Sequence, residues 1–481
     1  MASPVTDIRQ YAVTERAHWL AELRATFALA WPLVIAQVAQ NAISTTDVIM
    51  MGWLGPEALA AGTLASTFIT PFLVAGIGLI GAVAPLTAQA RGSRNIKAVR
   101  RIVRQGFWVG ALAACILIPI LWQIRAVLGL LGQDPALAAR AEEYVHIAAW
   151  LLIPAFGIIT LRSLLSTFDA ARVILVITVG GVLLNIVGNY VLMFGHLGLP
   201  RLEIRGAALA TVITNIAMFA ALLTYVLRHR RFRRFNILHN FFRPDWQRFG
   251  QIIRLGLPIG LTVLAEVSLF TAAVLMMGRL GTNEVAAHAI ALQCTTLAFM
   301  VPMGIGMATT VRVGMAYGRK DPEAFRRAGW TGLGLGMGFM AVSCITFISL
   351  APWIVTAFLD PSRPENQAAL ALGAGFLVIA GIFQLVDGAQ VVAAHALRGL
   401  SDTKVPMIFA IIGYWFVGLP TAYYLGLVLE WRGTGIWIGL ASGLSFVAVI
   451  LVCRFALREK IGLLRSITQA EPPRVPAEAS L

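Results

Sequence analysis

The sequence predicts an all-α integral membrane protein: twelve transmembrane helices in two six-helix lobes related by a pseudo-two-fold axis along the membrane normal. Three observations carry this. Of 481 residues, 58% are hydrophobic and only 13% charged, against roughly 25% charged in a soluble domain, and the mean hydropathy is +0.78. The apolar stretches run to ~20 residues or more without alternation, twice the length of a barrel strand, so helices are the spanning element. The halves also match under a shift of 226 residues that needs no gap.

Twelve apolar runs occupy approximately 27–52, 60–87, 105–124, 144–161, 173–195, 206–227, 255–278, 285–311, 329–358, 369–397, 405–429 and 435–453. Gly55, Pro56, Gly132, Asp134, Pro135, Pro200, Gly281, Pro361 and Pro364 mark breaks between them. The first 26 residues are polar and the first run is already a full span, so no cleavable leader is expected. The four cysteines stand singly in apolar runs and form neither a metal spacing nor a disulfide framework.

Orientation follows from Lys and Arg. With both termini cytoplasmic, 31 of the 38 basic residues fall on the inside, and seven (Arg125, Arg140, Arg201, Arg205, Arg279, Arg363, Arg432) fall outside. The same split explains the net charge of +15 as inside loops facing anionic lipid. The run Arg228-His229-Arg230-Arg231-Phe232-Arg233-Arg234 follows a span directly and is read as such a loop, so no nucleic acid is expected.

In the repeat, Leu29 and Pro32 meet Leu255 and Pro258, and Met50-Met51-Gly52 meets Met276-Met277-Gly278. Gly78, Ala90, Gly92, Arg100 and Arg101 meet Gly304, Ala316, Gly318, Arg326 and Arg327. The expected organisation is a cytoplasmic arm (1–26), an N-terminal lobe (27–227), a basic linker loop (228–254), a C-terminal lobe (255–458) and a cytoplasmic, disordered tail (459–481). Six spans is an even number, so the halves are parallel repeats, which normally enclose a cavity open to either side in turn. This favours a transporter over a receptor or a membrane-bound enzyme. Nothing demands more than a monomer.

Three acids fall well inside the spans, Asp47, Glu266 and Asp387, and no Lys or Arg does. A carboxylate at the bilayer centre costs several kcal/mol by insertion scales, so these are candidate sites for a proton, a metal cation or a cationic substrate. Gln37, Gln40, Ser44 and Asp47 form one polar stripe on the first span. Thr262 precedes Glu266 by one turn, and Gln384 and Gln390 flank Asp387 at i−3 and i+3, where they could ligate a small cation or orient the acid. Under the repeat Glu266 answers to Gln40 and Asp47 to Ala273, so the lobes place charge differently. Asn185, Asn189 and Thr211 are further polar positions. Met50, Met276 and Met300, with Phe383, are candidates for an adaptable substrate cavity. His146, His288 and His395 are expected as satisfied interfacial residues, and Glu284 as solvated or capping.

Several segments resemble the multidrug and toxic compound extrusion (MATE) family: TTDVIMMGWLG in the first span, LAEVSLF in the seventh, and VAAHAIAL with RVGMAYG in the eighth. FQLVDGAQVVAAHALRG, SDTKVPM and YWFVGLPTAYYLG extend the match, which covers roughly 25–460, with the second half nearest the NorM-type bacterial branch. The resemblance implies a multi-pass protein of the bacterial inner membrane that exports drugs and toxic organic cations, often amphipathic. Export is driven by inward flow of Na+ or H+ as the lobes rock, with no other cofactor and membrane lipid as surroundings. It implies that Glu266 and Asp387 build the cation site of the C-terminal lobe and are candidate Na+ ligands. It implies that Asp47, with Asn185 and Thr211, forms a site in the N-terminal lobe. Two positions depart from parts of the family. Phe383 stands where some members have Tyr, which removes a hydroxyl ligand, and Asn189 where some proton-coupled members have Asp. The coupling ion stays open between Na+ and H+, with Na+ narrowly favoured. A related superfamily suggests a lipid-linked precursor flippase instead, which the absence of cationic residues in the spans argues against. No catalytic pair, metal cluster or nucleotide loop supports an enzyme or receptor.

Overall fold

A computed structural model describes residues 4–463 apart from 197, 199 and 238, with side-chain surroundings from residue 15 onward. The tail expected to be disordered lies, from 464, outside the described residues. Twelve helices are long and apolar enough to cross a membrane, and no strand occurs among the described residues. Spans 1–6 are Glu15–Leu54, Pro56–Gly92, Ile96–Leu121, Pro135–Thr167, Ala171–Phe194 and Glu203–Arg228. Spans 7–12 are Trp246–Leu280, Thr282–Gly318, Pro322–Thr356, Pro364–Gly399, Lys404–Val428 and Arg432–Ala456.

Most of these helices outrun the apolar windows that announce them. Helical geometry continues wherever backbone bonds and caps allow, whereas hydropathy ends with the hydrocarbon. The helix of span 1 begins at Pro4, inside the expected arm, and that of span 7 begins at Trp246, inside the expected linker. Span 4 extends to Thr167, which carries Arg162 into its body.

The repeat reaches the backbone. Gly55 and Gly281, 226 residues apart, both start a helix at φ 125° and 141°, values that favour glycine. At the other end Arg94 and Lys320 are left-handed at φ 56° and 58°. The next residues, Asn95 and Asp321, cap spans 3 and 9: each side-chain oxygen accepts from the backbone N–H three residues on, at 2.9 Å in both. Buried side chains gather in two apolar clusters, one centred on spans 1–6 and one on spans 7–12.

The lobes meet at the end that bears the basic loops. A Cβ added to Gly260 would lie 2.7 Å from the Ala75 carbonyl oxygen, and one on Gly304 2.6 Å from the Val34 side chain, so spans 2 and 7, and 1 and 8, also approach closely near their middles. Gln89 Nε2 donates to the Gly399 carbonyl (2.8 Å) and the Ser401 hydroxyl (2.9 Å) across the lobes. Arg312 clasps Glu22 through Nε (2.8 Å) and Nη2 (2.5 Å). Towards the opposite end the same faces, stepped by helical turns, are bare: Val48 on span 1, Leu275 on span 7 and Leu297 on span 8 are 44%, 69% and 45% exposed. The lobes are therefore tied together by polar contacts at the basic end.

Candidate ion and substrate sites in the two lobes

The N-terminal site is complete around Asp47, which is 6% exposed. Its Oδ1 accepts from the amides of Asn189 (2.6 Å) and Asn185 (3.1 Å), and Oδ2 accepts from the Thr211 hydroxyl (2.7 Å). Asn185 and Asn189 are one turn apart on span 5, and Asn189 Nδ2 also donates to Asn185 Oδ1 (3.3 Å). Neutral donors from two helices, spans 5 and 6, thus satisfy the carboxylate. The rest of the expected stripe is not part of this site. Gln40 is half-buried and Ser44 exposed, and neither bonds Asp47. Gln37 Oε1 accepts from Arg162 Nη2 (2.8 Å). A helix of 3.6 residues per turn lets the stripe drift around the axis, so its far end turns into the lobe.

The C-terminal site is built differently. Thr262 and Glu266 of span 7, Gln390 and Arg398 of span 10 and Tyr414 of span 11 line one cavity of about 30 Å³. Asp387 is 5% exposed, one turn before Gln390, and its Oδ1 is buried without a hydrogen-bond partner. Gln390 Nε2 donates to the Tyr414 hydroxyl (2.6 Å), and its own Oε1 is also unpartnered. Unpaired buried oxygens are costly, and two acceptors in one lobe suit a proton or a hard cation. Span 11 widens to i→i+5 turns over Ile412–Gly418, carrying Tyr414 at the cavity, and again over Tyr424–Val428. Thr262 donates back to the Pro258 carbonyl (2.8 Å), one turn earlier on its own helix. Gln384 does not flank the acid as expected: Ser343 donates to its Oε1 (2.5 Å), on the side facing span 9.

Other expectations are corrected. The spans are not free of cations. Arg162 is 5% exposed and bonded to Gln37. Arg398 lies in the cavity beside Glu266 and bonds the His395 ring at 3.2 Å. Both lay just past the apolar windows, which end where the first charge appears. The argument that absent cations exclude a flippase therefore fails. Phe383 is not a cavity wall: it is 1% exposed, edge-on to Phe270 (6.2 Å) and Trp437 (5.7 Å). Met50 is likewise buried at 3%, while Met276 and Met300 are half-buried. His288 and His395 are buried rather than interfacial, and neither His288 nitrogen has a partner. Glu284 is buried and paired with Arg432 of span 12 through Nε (2.9 Å) and Nη2. Tyr414 was missed, because a tyrosine in an aromatic-rich span carries no signal until its neighbours are known.

Comparison with known proteins now bears on this geometry. The MatE family model matches twice, at residues 32–191 and 258–424, with starts 226 residues apart. A probable multidrug resistance protein NorM from Mesorhizobium japonicum is 44% identical over 445 residues, covering 92% of this chain and 95% of that one. Another from Rhizobium meliloti is 44% identical over 454 residues, covering 94% and 96%. The crystal structure of the eukaryotic MATE transporter AtDTX14 shares the fold, with a TM-score of 0.82 at 20% identity, covering 94% of this chain and 99% of that one. With twelve spans and two family matches set around paired intramembrane acids, the chain belongs to the MatE family, and is a membrane transporter rather than an enzyme.

Proposed function

We propose that this protein is a secondary antiporter that exports organic, often cationic and amphipathic compounds in exchange for Na+ or H+. The observation that carries it is the C-terminal cavity, lined by Glu266 and by one guanidinium, Arg398, with the unpartnered Oδ1 of Asp387 one turn from the lining residue Gln390. With both acids ionised, that group leaves one net negative charge, which one monovalent cation would neutralise. The names of the relatives support multidrug substrates. The Lys and Arg split supports cytoplasmic termini in a bacterial inner membrane, which makes the end tied by Gln89 and Arg312 the cytoplasmic one. The two lobes are then the moving bodies, 27–227 and 255–458, joined by the basic linker.

Glu266 and Asp387 would hold the coupling ion, with Tyr414 supplying the hydroxyl that Phe383 lacks, and this oxygen set favours Na+. Asp47 would form a second site held by Asn185, Asn189 and Thr211. An incoming ion and a drug cation draw on the same few carboxylates, so each weakens the other by the same factor. The test is efflux of a fluorescent organic cation from proteoliposomes with Na+ and pH gradients imposed separately. Efflux that responds to neither gradient would overturn the reading.

A further inference from the structure

We infer a binding site for an anionic phospholipid on the outer flank of the N-terminal lobe, between spans 5 and 6. A crevice of about 710 Å³ opens there, walled by Val173 and Val176 of span 5 and Ala221 of span 6. Val176 is 69% exposed, so the wall faces out of the protein. Arg172, Arg228 and His229 stand at one end of the crevice. Arg172 is the second residue of the span 5 helix and Arg228 the last of span 6, so both sit at the same boundary, the end that bears the basic loops.

Their electrostatics select the occupant. Neither Arg172 nor Arg228 pairs with a carboxylate among the described residues. The nearest acid in sequence, Asp169, is held by Arg91 (2.8 Å) and Arg231 (3.9 Å). Arg172 rests on the Trp31 ring, 5.8 Å from its centroid, and His229 stacks on Tyr225 at 4.8 Å. An apolar crevice under unpaired guanidinium groups fits an acyl chain below an anionic headgroup. A cationic transport substrate would be repelled there, and free phosphate would leave the apolar walls unused. The leaflet concerned, the cytoplasmic one, rests on the orientation proposed above, whereas the site itself does not.

Native mass spectrometry of the detergent-purified full chain tests this, with dioleoylphosphatidylglycerol titrated against dioleoylphosphatidylcholine. Each boundary arginine favours an anionic headgroup roughly fivefold, so two give roughly a 25-fold preference. We expect wild-type protein to retain phosphatidylglycerol by about that factor, and the double variant Arg172→Gln/Arg228→Gln to lose the preference. Arg279→Gln, an arginine near the opposite end, should keep it. Should the double variant not fold, Ala221→Trp fills the crevice and leaves both charges, and it must expel the lipid as well. Binding of tetraphenylphosphonium to the same samples reads the transport proposal separately and should be unaffected by these substitutions. Equal retention of the two lipids by wild type, or an undiminished preference in the double variant or in Ala221→Trp, overturns the site.

Discussion

Replacing Asp47 separates two roles that one carboxylate plays, as the hub of a hydrogen-bond network and as a charge. In Asp47→Leu the amides of Asn185 and Asn189 and the Thr211 hydroxyl lose their acceptor, contacts of 3.1, 2.6 and 2.7 Å. A buried donor left without a partner costs about 1–3 kcal/mol. Part of this is recovered, because Asn185 also reaches Thr211 Oγ1 and Asn189 also reaches Asn185 Oδ1, both at 3.3 Å. One or two donors stay orphaned, for a net loss of about 2–4 kcal/mol. In Asp47→Asn the amide oxygen still accepts from both asparagines, and its NH₂ donates to Thr211 Oγ1 once that hydroxyl rotates, so the loss is about 1 kcal/mol or less. The assay is the fraction of monodisperse protein after heating, by size-exclusion chromatography, beside gradient-driven efflux. We expect the apparent midpoint to fall by about 4–8 °C for Asp47→Leu and little for Asp47→Asn, with efflux impaired in both. A leucine variant as stable as wild type would refute the network, and an asparagine variant with wild-type efflux would refute the role of the charge.

Three further outcomes are expected. Glu266→Gln and Asp387→Asn should each abolish gradient-driven efflux without unfolding the protein, since each keeps shape and removes charge, and wild-type rates in both would remove these acids from the coupling site. Tyr414→Phe strips an oxygen from the C-terminal cavity and leaves Gln390 Nε2 without its 2.6 Å partner. Na+ should then compete with a bound fluorescent cation roughly tenfold more weakly, about 1–2 kcal/mol, read by equilibrium titration with K+ as the ionic-strength control; unchanged competition would exclude the hydroxyl as a ligand. In a cysteine-free background, a cysteine at exposed Gln133 should react with an impermeant maleimide on whole cells and one at exposed Asn236 should not, and the reverse pattern would invert the proposed topology.

The sequence by itself determined what depends on local composition and on repetition. Spans announce themselves because a helix in hydrocarbon needs about 20 apolar residues in a row, and all twelve runs correspond to helices. The three acids were legible for the same reason, as charges in runs that exclude charge. The two-fold design was legible because duplicated backbone needs, such as the turns at Gly55 and Gly281, keep the same residues at a fixed offset. Tertiary structure alone decided which polar groups meet. Asp47 lies 138, 142 and 164 residues from its three donors, and no helical periodicity links positions on different helices. It also decided that Gln384 turns towards Ser343, that Phe383 and Met50 belong to the core, and that Tyr414 faces the cavity. Arg162 and Arg398 show the limit most directly. Hydropathy ends a span at its first charge, but a guanidinium can be carried inside when another helix offers it a partner, as Gln37 offers Arg162. Whether such a partner exists is a property of packing between helices, which the order of residues along any one helix does not contain.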